Sequence, residues 1–555
     1  MTTSIMSLLS AAALKEHTAS GTWGDETIYD IVRRHAGERP DAIAVRDSWR
    51  AFTWRMLAES IDAFAADLRG RGIRRGQRIL VWAPNRIETI VALIAASRNG
   101  FVCCPSPHRN HTVEEIVDLA ERASCAAFVY QTGFGSDADR NDIRAAIHAL
   151  PSLCHFYELA PLGPDCADAV PFDGLLKHPV DLAGKPVSDP NCVTYLAFTS
   201  GSTGKPKGVM HSDNTQLVSA HGIADAWSLG PGTVTLSLSP FAHNLGCGTL
   251  WTSIVAGGTF VLHDWARGES LLDRLIETKT DYLVGVPTHA MDLLAELKSR
   301  GIAKFDQLLG FRVSAAACPE HVAAELLDHG ILPQKGYGMT ETNGHQYTLP
   351  GDTRAHIVET SGICCPGYEI RIFDPDDSDI ELPRGQIGQV AGKGGALMLG
   401  YFDDQTATEN ALNSDGWFMT GDLGVLDEEG YLRITGRKKE VIIRGGHNIS
   451  PQLIEEIALR HEAIEFAAAL PVPHDRLGEQ ACLIVSLVPG RSASASEVLE
   501  HLAAEGLSRY DMPEFWICLE RMPLMPNGKV QRMELVRRIR TGEATPEPVT
   551  RTESA

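Results

Sequence analysis

A segment rich in glycine, hydroxyl and lysine side chains carries the strongest chemical signal in this 555-residue sequence. It follows a predicted strand and runs Thr199-Ser200-Gly201-Ser202-Thr203-Gly204-Lys205-Pro206-Lys207-Gly208. Glycines allow backbone N–H groups to converge on one anion, hydroxyls add donors, and the two lysines add charge. We therefore predict a phosphate-binding loop, although such a composition is also typical of a flexible surface turn. Pro206 excludes a Walker A loop, because a Ser or Thr that coordinates magnesium stands at that position.

Four further motifs follow in order along the chain. They are Tyr337-Gly338-Met339-Thr340-Glu341-Thr342, then Thr420-Gly421-Asp422, then Gly436-Arg437-Lys438-Lys439 with Gly445-Gly446 behind it, and finally Pro526-Asn527-Gly528-Lys529-Val530-Gln531-Arg532. With the loop, this series resembles the adenylate-forming superfamily of acyl-CoA synthetases, peptide-synthetase adenylation domains and luciferases. The resemblance covers residues 26–540, which is nearly the whole chain.

The resemblance implies a reaction in two steps. A carboxylate attacks the α-phosphorus of ATP, which gives an acyl-adenylate and pyrophosphate, and a thiol then attacks the activated carbonyl and releases AMP. Both steps bring anions together, so catalysis depends mainly on positioning and charge neutralisation. The cofactors implied are ATP, Mg²⁺ and coenzyme A.

The family pattern assigns four catalytic residues. Lys529 would bridge the substrate carboxylate and the α-phosphate, and Thr340 would donate a hydrogen bond to that phosphate. Glu341 would bind Mg²⁺, because a hard cation prefers carboxylate oxygen. His243 resembles the gate between the acyl pocket and the thiol tunnel. Asn527 stands where the family usually has Thr or Ser before the Gly-Lys pair, which preserves the turn chemistry.

Nucleotide binding would involve the loop and three further segments. Tyr337 would stack on adenine, Asp422 would accept from both ribose hydroxyls, and Arg437 would reach the ribose or a phosphate. The sequence reads Ser314-Ala315-Ala316 where the family usually has Gly-Gly-Ala, which adds bulk beside the adenine. The complete predicted set is Thr199, Ser200, Gly201, Ser202, Thr203, Gly204, Lys205, Lys207, Ser314, Ala315, Ala316, Tyr337, Gly338, Met339, Asp422 and Arg437.

The acyl acceptor and the acid are predicted less directly. Gly445 and Gly446 would line the pantetheine tunnel, and Lys439 stands at the family's hinge position. Asn244 replaces the Asp that usually holds an amino-acid amine, which disfavours amino-acid substrates. The pocket expected around Val284–Thr288 is apolar, so we predict a hydrophobic monocarboxylic acid as substrate. The stretches around these motifs most resemble short- and medium-chain acyl-CoA synthetases and cyclohexanecarboxylate-CoA ligases.

Three other functions compete with an AMP-forming acyl-CoA ligase. The first is a ligase that loads the acyl group onto a separate carrier protein. The second is a sensor that binds acyl-adenylate or AMP without turnover, which the presence of Lys529, Glu341 and Asp422 disfavours. The third is a phosphotransferase that releases ADP, which Pro206 disfavours.

Alternating elements must position these residues. Apolar side chains repeat at helical spacing over residues 57–68, followed by a buried strand at Arg78–Ala83 and a second helix that ends near Gly100. This order predicts an α/β fold with parallel strands, helices on both sheet faces, and a small mobile α+β domain near the C-terminus. We predict an extension over 1–25, an AMP-binding domain over 26–437, a C-terminal domain over 438–540 and a disordered tail over 541–555.

Composition limits the partners. Fifty basic against 71 acidic side chains give a net charge of −21, which argues against nucleic-acid binding. No apolar run is long enough for a membrane helix, and 12 cysteines without C-x-x-C spacing predict reduced thiols and no zinc site. We expect a cytoplasmic protein, a small-molecule acid as substrate, a homodimer, and regulation by an acetyltransferase or deacetylase acting on Lys529.

Overall fold

The computed structural model describes residues 7–105, 108–148, 150, 152–199, 206–265, 268–444, 447–474, 476–525 and 528–549. The helices are α1 (Ala11–Ala19), α2 (Ile28–Glu38), α3 (Trp54–Gly70), α4 (Ile87–Asn99), α5 (Val113–Arg122), α6 (Ile143–Ile147), α7 (Asp213–Ala226), α8 (Asn244–Ala256), α9 (Leu271–Thr278), α10 (Pro287–Ser299), α11 (Glu320–Asp328), α12 (Arg354–Glu359), α13 (Gln405–Glu409), α14 (Pro451–Ala458), α15 (Ala495–Ala504) and α16 (Arg532–Thr541).

The strands form four sheets. They are β1 (Ile43–Arg46), β2 (Ala51–Thr53), β3 (Arg78–Trp82), β4 (Val102–Cys104), β5 (Ala127–Gln131), β6 (His155–Leu159), β7 (Val193–Thr199), β8 (Lys207–Ser212), β9 (Val234–Ser237), β10 (Thr259–Leu262), β11 (Tyr282–Gly285), β12 (Gly310–Val313), β13 (Pro333–Met339), β14 (Asn343–Tyr347), β15 (Ile363–Cys364), β16 (Tyr368–Phe373), β17 (Gly388–Gly394), β18 (Phe418–Leu426), β19 (Leu432–Arg437), β20 (Ile442–Arg444), β21 (His447–Ile449), β22 (Ile464–His474), β23 (Gly478–Leu487), β24 (Phe515–Leu519) and β25 (Glu547–Pro548).

Two mostly parallel sheets form the large domain. The first has the order β6-β5-β3-β4-β7-β8, and the second has the order β15-β14-β13-β12-β11-β9-β10-β1-β2. The predicted parallel pairing is confirmed for β3 with β4 and β5, and for β9 through β13. All 13 residues of α4 are buried, and the largest apolar cluster joins side chains from both sheets. Helices α3, α4 and α8 therefore share one core with both sheets, as their apolar sequences require.

An antiparallel third sheet and a mixed fourth sheet, in which β23 and β24 are parallel, complete the chain. The third sheet has the order β16-β17-β18-β19 and ends at Arg437, whereas the fourth begins at Ile442 and has the order β21-β20-β23-β24-β25, with β22 paired to β23. The fourth sheet packs against α14, α15 and α16 around two apolar clusters, and we call this unit the small domain. It has the α+β character predicted for the end of the sequence. The change of sheet falls beside the predicted domain boundary at residue 437.

Both predicted ends carry regular structure. The N-terminal extension contains α1, and the indole N–H of Trp23 donates to Gly395 O at 3.0 Å. The prediction of a disordered tail is wrong for its first part, because β25 pairs with β24 and Ala544 is buried against the small domain. The exposed edge of β24 offers backbone hydrogen-bond partners to the polar tail segment. The composition of the tail does not indicate this pairing, because the partners belong to another part of the sequence. Residues 550–555 lie outside the described part.

Within the described ranges, no helix combines the length and apolar character needed to span a membrane.

Candidate active site

The described members of the predicted site set line one cavity. Its volume is about 2280 Å³, and its walls come from α7, α8, the ends of β11 to β13, the third sheet and the small domain. Ser200 to Lys205, and Gly445 with Gly446, lie outside the described residues. The described members of the predicted set that line the cavity are Thr199, Lys207, His243, Ser314, Ala315, Ala316, Tyr337, Gly338, Met339, Thr340, Glu341, Asp422, Arg437, Lys439 and Lys529.

The second sheet positions the nucleotide motif. Strands β12 and β13 run parallel, so their carboxyl ends lie at one edge, where open α/β sheets bind ligands. The segment Ser314–Ala316 follows β12, and Tyr337 and Met339 end β13. Thr340 and Glu341 occupy the tight turn into β14, which begins at Asn343 with a φ of 56°. One sheet edge therefore presents both predicted adenine segments and the predicted magnesium ligand.

Ala315 has the left-handed backbone conformation that usually requires glycine. Its φ is 67°, in a segment where the family pattern has two glycines. The substitution therefore preserves the glycine-like turn, at the expense of strain that a Cβ introduces in this region.

A carboxylate with two engaged oxygens forms the predicted ribose site. Asp422 is 5% exposed, and its Oδ2 accepts from the Tyr337 hydroxyl at 2.7 Å. The Arg437 Nε lies 2.9 Å from Oδ1. Burial alone would lower the pKa of Arg437, but Asp422 and Glu440 raise it overall. A carboxylate has about four acceptor positions, so two remain for the hydroxyls of a ribose.

Glu341 is a buried carboxylate with one hydroxyl partner. The Tyr401 hydroxyl donates to its Oε1 at 2.9 Å, and the Lys207 ammonium lies 4.6 Å from the centre of the Tyr401 ring. Burial raises the pKa of Glu341, whereas Tyr401, Lys207 and Arg437 act in the opposite direction. This environment fits Mg²⁺, which typically binds one or two carboxylates together with substrate phosphates rather than a full protein cage. Among the described residues, no three or more His, Cys, Asp or Glu side chains form a cluster that could hold a metal ion.

The small domain carries Lys529 into the cavity. Neighbouring Gly528 has a φ of 75°, and a Cβ placed there would lie 2.7 Å from the Thr288 Oγ1 of the large domain. Burial and then the charge of Arg437 lower the pKa of Lys529. Lys529 also lowers the pKa of His243, after burial, to about 4. The charge of Lys529 therefore interacts with Arg437 and Asp422 of the predicted ribose site and with His243, the predicted gate.

Burial keeps the pKa of the predicted gate residue His243 and of two neighbouring histidines low. His243 is the N-cap of α8, and its Nε2 is buried with no hydrogen-bond partner among the described residues. Its ring centroid lies 4.2 Å from that of His108. Burial, His243 and then His111 lower the pKa of His108 to about 3. His108 was not predicted, because it lies in a loop more than a hundred residues before the gate.

Polar contacts join the small domain to the large domain and hold the last motif in place. Arg460 of the small domain lies 3.1 Å from Glu320 of α11. The Ser450 hydroxyl donates to Thr435 O at 2.7 Å. Within the small domain, Arg532 of the last motif pairs with Glu455 at 2.6 Å. Arg532 thus has a structural role in holding the Lys529 segment against α14.

Sequence reasoning missed two residues that position predicted ones. The buried ring of His211 is 2.7 Å from Thr340 O through Nε2 and 3.0 Å from the Thr215 hydroxyl through Nδ1. Tyr401, described above, holds Glu341. Both are distant in sequence from their partners, and the spacing of the motifs carries no signal for them.

Comparison with known proteins identifies the family. Residues 32–402 match the AMP-binding enzyme family, and residues 453–529 match the AMP-binding enzyme C-terminal domain. The medium-chain fatty-acid–CoA ligase of Escherichia coli (strain K12) is 30% identical over 527 residues, covering 94% of this chain and 92% of that protein. A feruloyl-CoA synthase from Amycolatopsis sp is 29% identical, covering 91% and 97%.

Solved structures agree with this assignment. ATP-bound MatB from Rhodopseudomonas palustris superposes with a TM-score of 0.80 at 25% identity, covering 93% of this chain and 99% of that one. The two-domain α/β architecture is therefore that of the adenylate-forming enzymes. The chain belongs to the AMP-binding enzyme family, and it is an AMP-forming acyl-CoA ligase that uses ATP and coenzyme A.

Proposed function

We propose that this cavity activates an organic acid by adenylation, with Lys529 as the cation that allows attack. The observation that carries the proposal is the meeting of Lys529, from the small domain, with the Asp422–Arg437 pair and His243 of the large domain in one cavity. A carboxylate oxygen forms a bond to the α-phosphorus, and the bond to the β-phosphate oxygen breaks. The Lys529 ammonium reduces the repulsion between the two anions.

The other residues hold the reactants. Asp422 accepts from the ribose hydroxyls, and Tyr337 packs against adenine. Thr340 donates to the α-phosphate, with its carbonyl fixed by His211. Glu341 would hold Mg²⁺, which supplies charge neutralisation to the departing pyrophosphate.

The second step transfers the acyl group to sulfur. The thiol of coenzyme A releases its proton to solvent and its sulfur forms a bond to the acyl carbon. The bond between that carbon and the phosphate oxygen breaks, and AMP leaves with the bonding electrons. We propose that Gly445 and Gly446 line the thiol tunnel and that rotation about Lys439 brings them to the cavity. Lys529 then leaves the site, because it is carried by the same domain.

We propose the class of acid from the side chains that line the cavity, because the relatives are named for fatty, aromatic and other acids. The apolar side chains of Leu245, Val284, Val286 and Met291 line the cavity. These side chains support an apolar substrate segment beside the reacting carboxylate, as expected for a hydrophobic monocarboxylic acid. Relatives named as CoA ligases do not favour the carrier-protein alternative.

Product analysis tests the proposal. The protein is incubated with ATP, Mg²⁺, coenzyme A and a panel of straight-chain, alicyclic and aromatic acids, and nucleotides and thioesters are separated chromatographically. We expect AMP, pyrophosphate and thioester in equal amounts, dependent on both acid and coenzyme A. Adenylate without thioester would favour a carrier protein as acceptor, and ADP would contradict the proposal. No nucleotide turnover with any acid would favour a sensor.

Three further expectations from the sequence are kept as proposals. Acetylation of Lys529 would remove its charge and block adenylation. Because the amine is buried in the cavity, an acetyltransferase would need the small domain rotated away. A cytoplasmic location and a homodimer stay predictions from the sequence.

A further inference from the structure

A buried arginine lies in the cavity apart from the catalytic cluster. Arg312 is in β12, whose alternate residues Phe311 and Val313 pack into the apolar core on one face of the second sheet. Its side chain therefore points to the opposite face, where it lines the cavity. Arg312 is only 3% exposed.

The charge of Arg312 has no acidic partner among the described residues. Its Nη1 lies 3.4 Å from the Gln334 Oε1, which already accepts from the Tyr282 hydroxyl, and its Nε has no hydrogen-bond partner. No described carboxylate lies within 4.0 Å. A guanidinium cannot lose its proton in a protein, and a buried charge without a counter-ion is strongly unfavourable.

The titratable groups facing Arg312 from neighbouring strands are neutral. Tyr282 comes from β11 and Tyr347 from β14, and burial raises the pKa of both phenols. Burial and then Arg312 lower the pKa of His345 in β14 to about 3. Cys365, which follows β15, has its pKa raised to about 12 by burial. None of these groups supplies a negative charge near neutral pH.

Missing side chains keep the space around this guanidinium open. A Cβ at Gly344 would clash with the Arg312 Nη2, and one at Gly336 would approach it to 3.4 Å. Both glycines line the cavity, as does Gly248 of α8, where a Cβ would meet nothing within 4 Å. The hydroxyl of Ser219 in α7 also lines the cavity and is buried without a described partner. Gly336 and Gly344 therefore leave the room that the guanidinium occupies beside β13 and β14.

Arg312 is separate from the groups assigned to the reaction. The charges that act on Lys529 are Arg437, Asp422 and Glu440, and the cations that act on Glu341 are Lys207 and Arg437. Arg312 belongs to neither set. The side chains that contact the Arg312 head group come from β11 and β13, whereas Lys529 comes from the small domain and Glu341 from the turn before β14.

We propose that Arg312 binds a second anionic group, carried by the acid substrate at the end remote from the reacting carboxylate. The substrate is then an organic acid with an apolar middle and a terminal carboxylate or sulfonate. This inference rests on the proposed adenylation reaction, and it replaces the expectation of a substrate with a single anionic group. A pocket with a buried charge discriminates strongly against an analogue that leaves the charge unpaired, so we expect a preference of about 100-fold or more in kcat/KM.

Matched acids test this proposal. Octanedioate, 8-sulfooctanoate and octanoate are compared, together with the corresponding acids of four, six and ten carbons, in the AMP-release assay. At the preferred length, the wild-type protein should favour one of the dianions over the monoacid by about 100-fold. The better of octanedioate and 8-sulfooctanoate identifies the terminal group. Equal use of the monoacid, or a preference for it, at every length would overturn the inference.

A variant separates recognition from folding. Arg312→Leu should lower kcat/KM for the dianion by about 100-fold through KM and leave the monoacid within about threefold, whereas Arg312→Lys should retain part of the dianion preference. Arg354→Leu, at an exposed position, is the matched control and should change kcat/KM for neither the dianion nor the monoacid. An unchanged dianion preference in a folded Arg312→Leu protein would contradict the role of this residue.

Binding distinguishes this inference from the proposed function. Calorimetry with a non-hydrolysable ATP analogue should give a Kd for the dianion about 100-fold below that for the monoacid in the wild-type protein. If that binding preference is present but no acid yields AMP, the proposed reaction fails and the inference holds. If AMP forms from monoacids and the dianion binds no better, only the inference fails.

Discussion

Asp422 and Arg437 face each other across β18 and β19, with the Arg437 Nε 2.9 Å from the Asp422 Oδ1. Arg437 is also the last residue of the third sheet before the chain enters the small domain. The predicted ribose acceptor is thus linked by one ion pair to the segment that carries the hinge position. Arg437 therefore joins the predicted ribose site to the segment that leads into the small domain.

Asp422→Asn keeps the shape of this side chain and removes its charge. Hydrogen bonds to a charged acceptor contribute about 1.5–3 kcal/mol, so the KM for ATP should rise about 10- to 100-fold. Steady-state kinetics with varied ATP measure the change. Asp376→Asn, at an exposed turn position, serves as the control. An unchanged KM for ATP in Asp422→Asn would contradict the ribose assignment.

Gly528→Ala should separate the two half-reactions. The new Cβ would approach the Thr288 Oγ1 to 2.7 Å only while the small domain is docked as described here. Strain and overlap of about 1–3 kcal/mol predict adenylation slowed about 10- to 100-fold, measured as acid-dependent pyrophosphate release. Thioester formation from supplied acyl-adenylate should change less than threefold.

Gly542→Ala is the matched control for this variant. Its φ of 76° equals that of Gly528 within one degree, but a Cβ there would meet nothing within 4 Å. The same backbone strain is therefore introduced without the interdomain contact. Equal loss of adenylation in both variants would show that strain, rather than docking against Thr288, is responsible.

The pH dependence of adenylation should report on Lys529. Burial and Arg437 lower the pKa of this amine, so adenylation should fall as the pH rises through that lowered value. Arg437→Gln removes one lowering charge, so the pKa should rise and the basic limb of the pH–rate profile should move to higher pH. Single-turnover pyrophosphate release measures the profile. A basic limb that stays in place or moves to lower pH in Arg437→Gln would contradict the electrostatic coupling between Arg437 and Lys529.

A buried ion-pair network stabilises the large domain. Glu88 contacts Arg50 at 2.8 Å and Arg86 at 2.7 Å, and all three side chains are almost fully buried. Burial alone would raise the pKa of Glu88, but the two arginines bring it from 4.5 to about 2. Its contribution to stability is therefore complete above pH 4.5 and is lost as the pH falls towards 2.

Glu88→Ala removes the carboxylate that Arg50 and Arg86 share, so Arg86 loses this acidic partner while Arg50 keeps Asp47, at 2.8 Å. It should lower the free energy of unfolding of the large domain by about 3–5 kcal/mol. Asp41→Ala breaks the exposed pair with Arg55 and should change the free energy of unfolding by no more than about 1 kcal/mol. Denaturant titration at pH 7 compares the variants. Similar small losses in both would contradict a stabilising role for the buried network.

Local patterns predicted much of the fold. The predicted strand at Arg78–Ala83 and the helix over residues 57–68 coincide with β3 and α3, because period and turn residues are encoded within the segments themselves. The order of five motifs also identified the family and 15 of the residues that line the cavity. Pairing of the tail strand with β24 escaped prediction, because it depends on an edge formed by distant residues.

The residues missed in the site share one property. Tyr401 contacts Glu341 across 60 positions of sequence, and His211 contacts Thr340 across 129. Arg312 looks like an ordinary strand residue until its partners on β11, β13 and β14 are known. Such contacts arise from tertiary packing, and no spacing rule within a single sequence reports them.

The most direct test of the account uses Lys529→Ala, with exposed Arg491→Ala as the control in the same domain. Both half-reactions are measured separately, as acid-dependent pyrophosphate release and as thioester formation from supplied acyl-adenylate. We predict that Lys529→Ala slows the first by about 100- to 1000-fold, leaves the second within threefold, and that Arg491→Ala changes neither. Adenylation by Lys529→Ala at the wild-type rate would contradict the central claim that this lysine enables attack on the α-phosphorus.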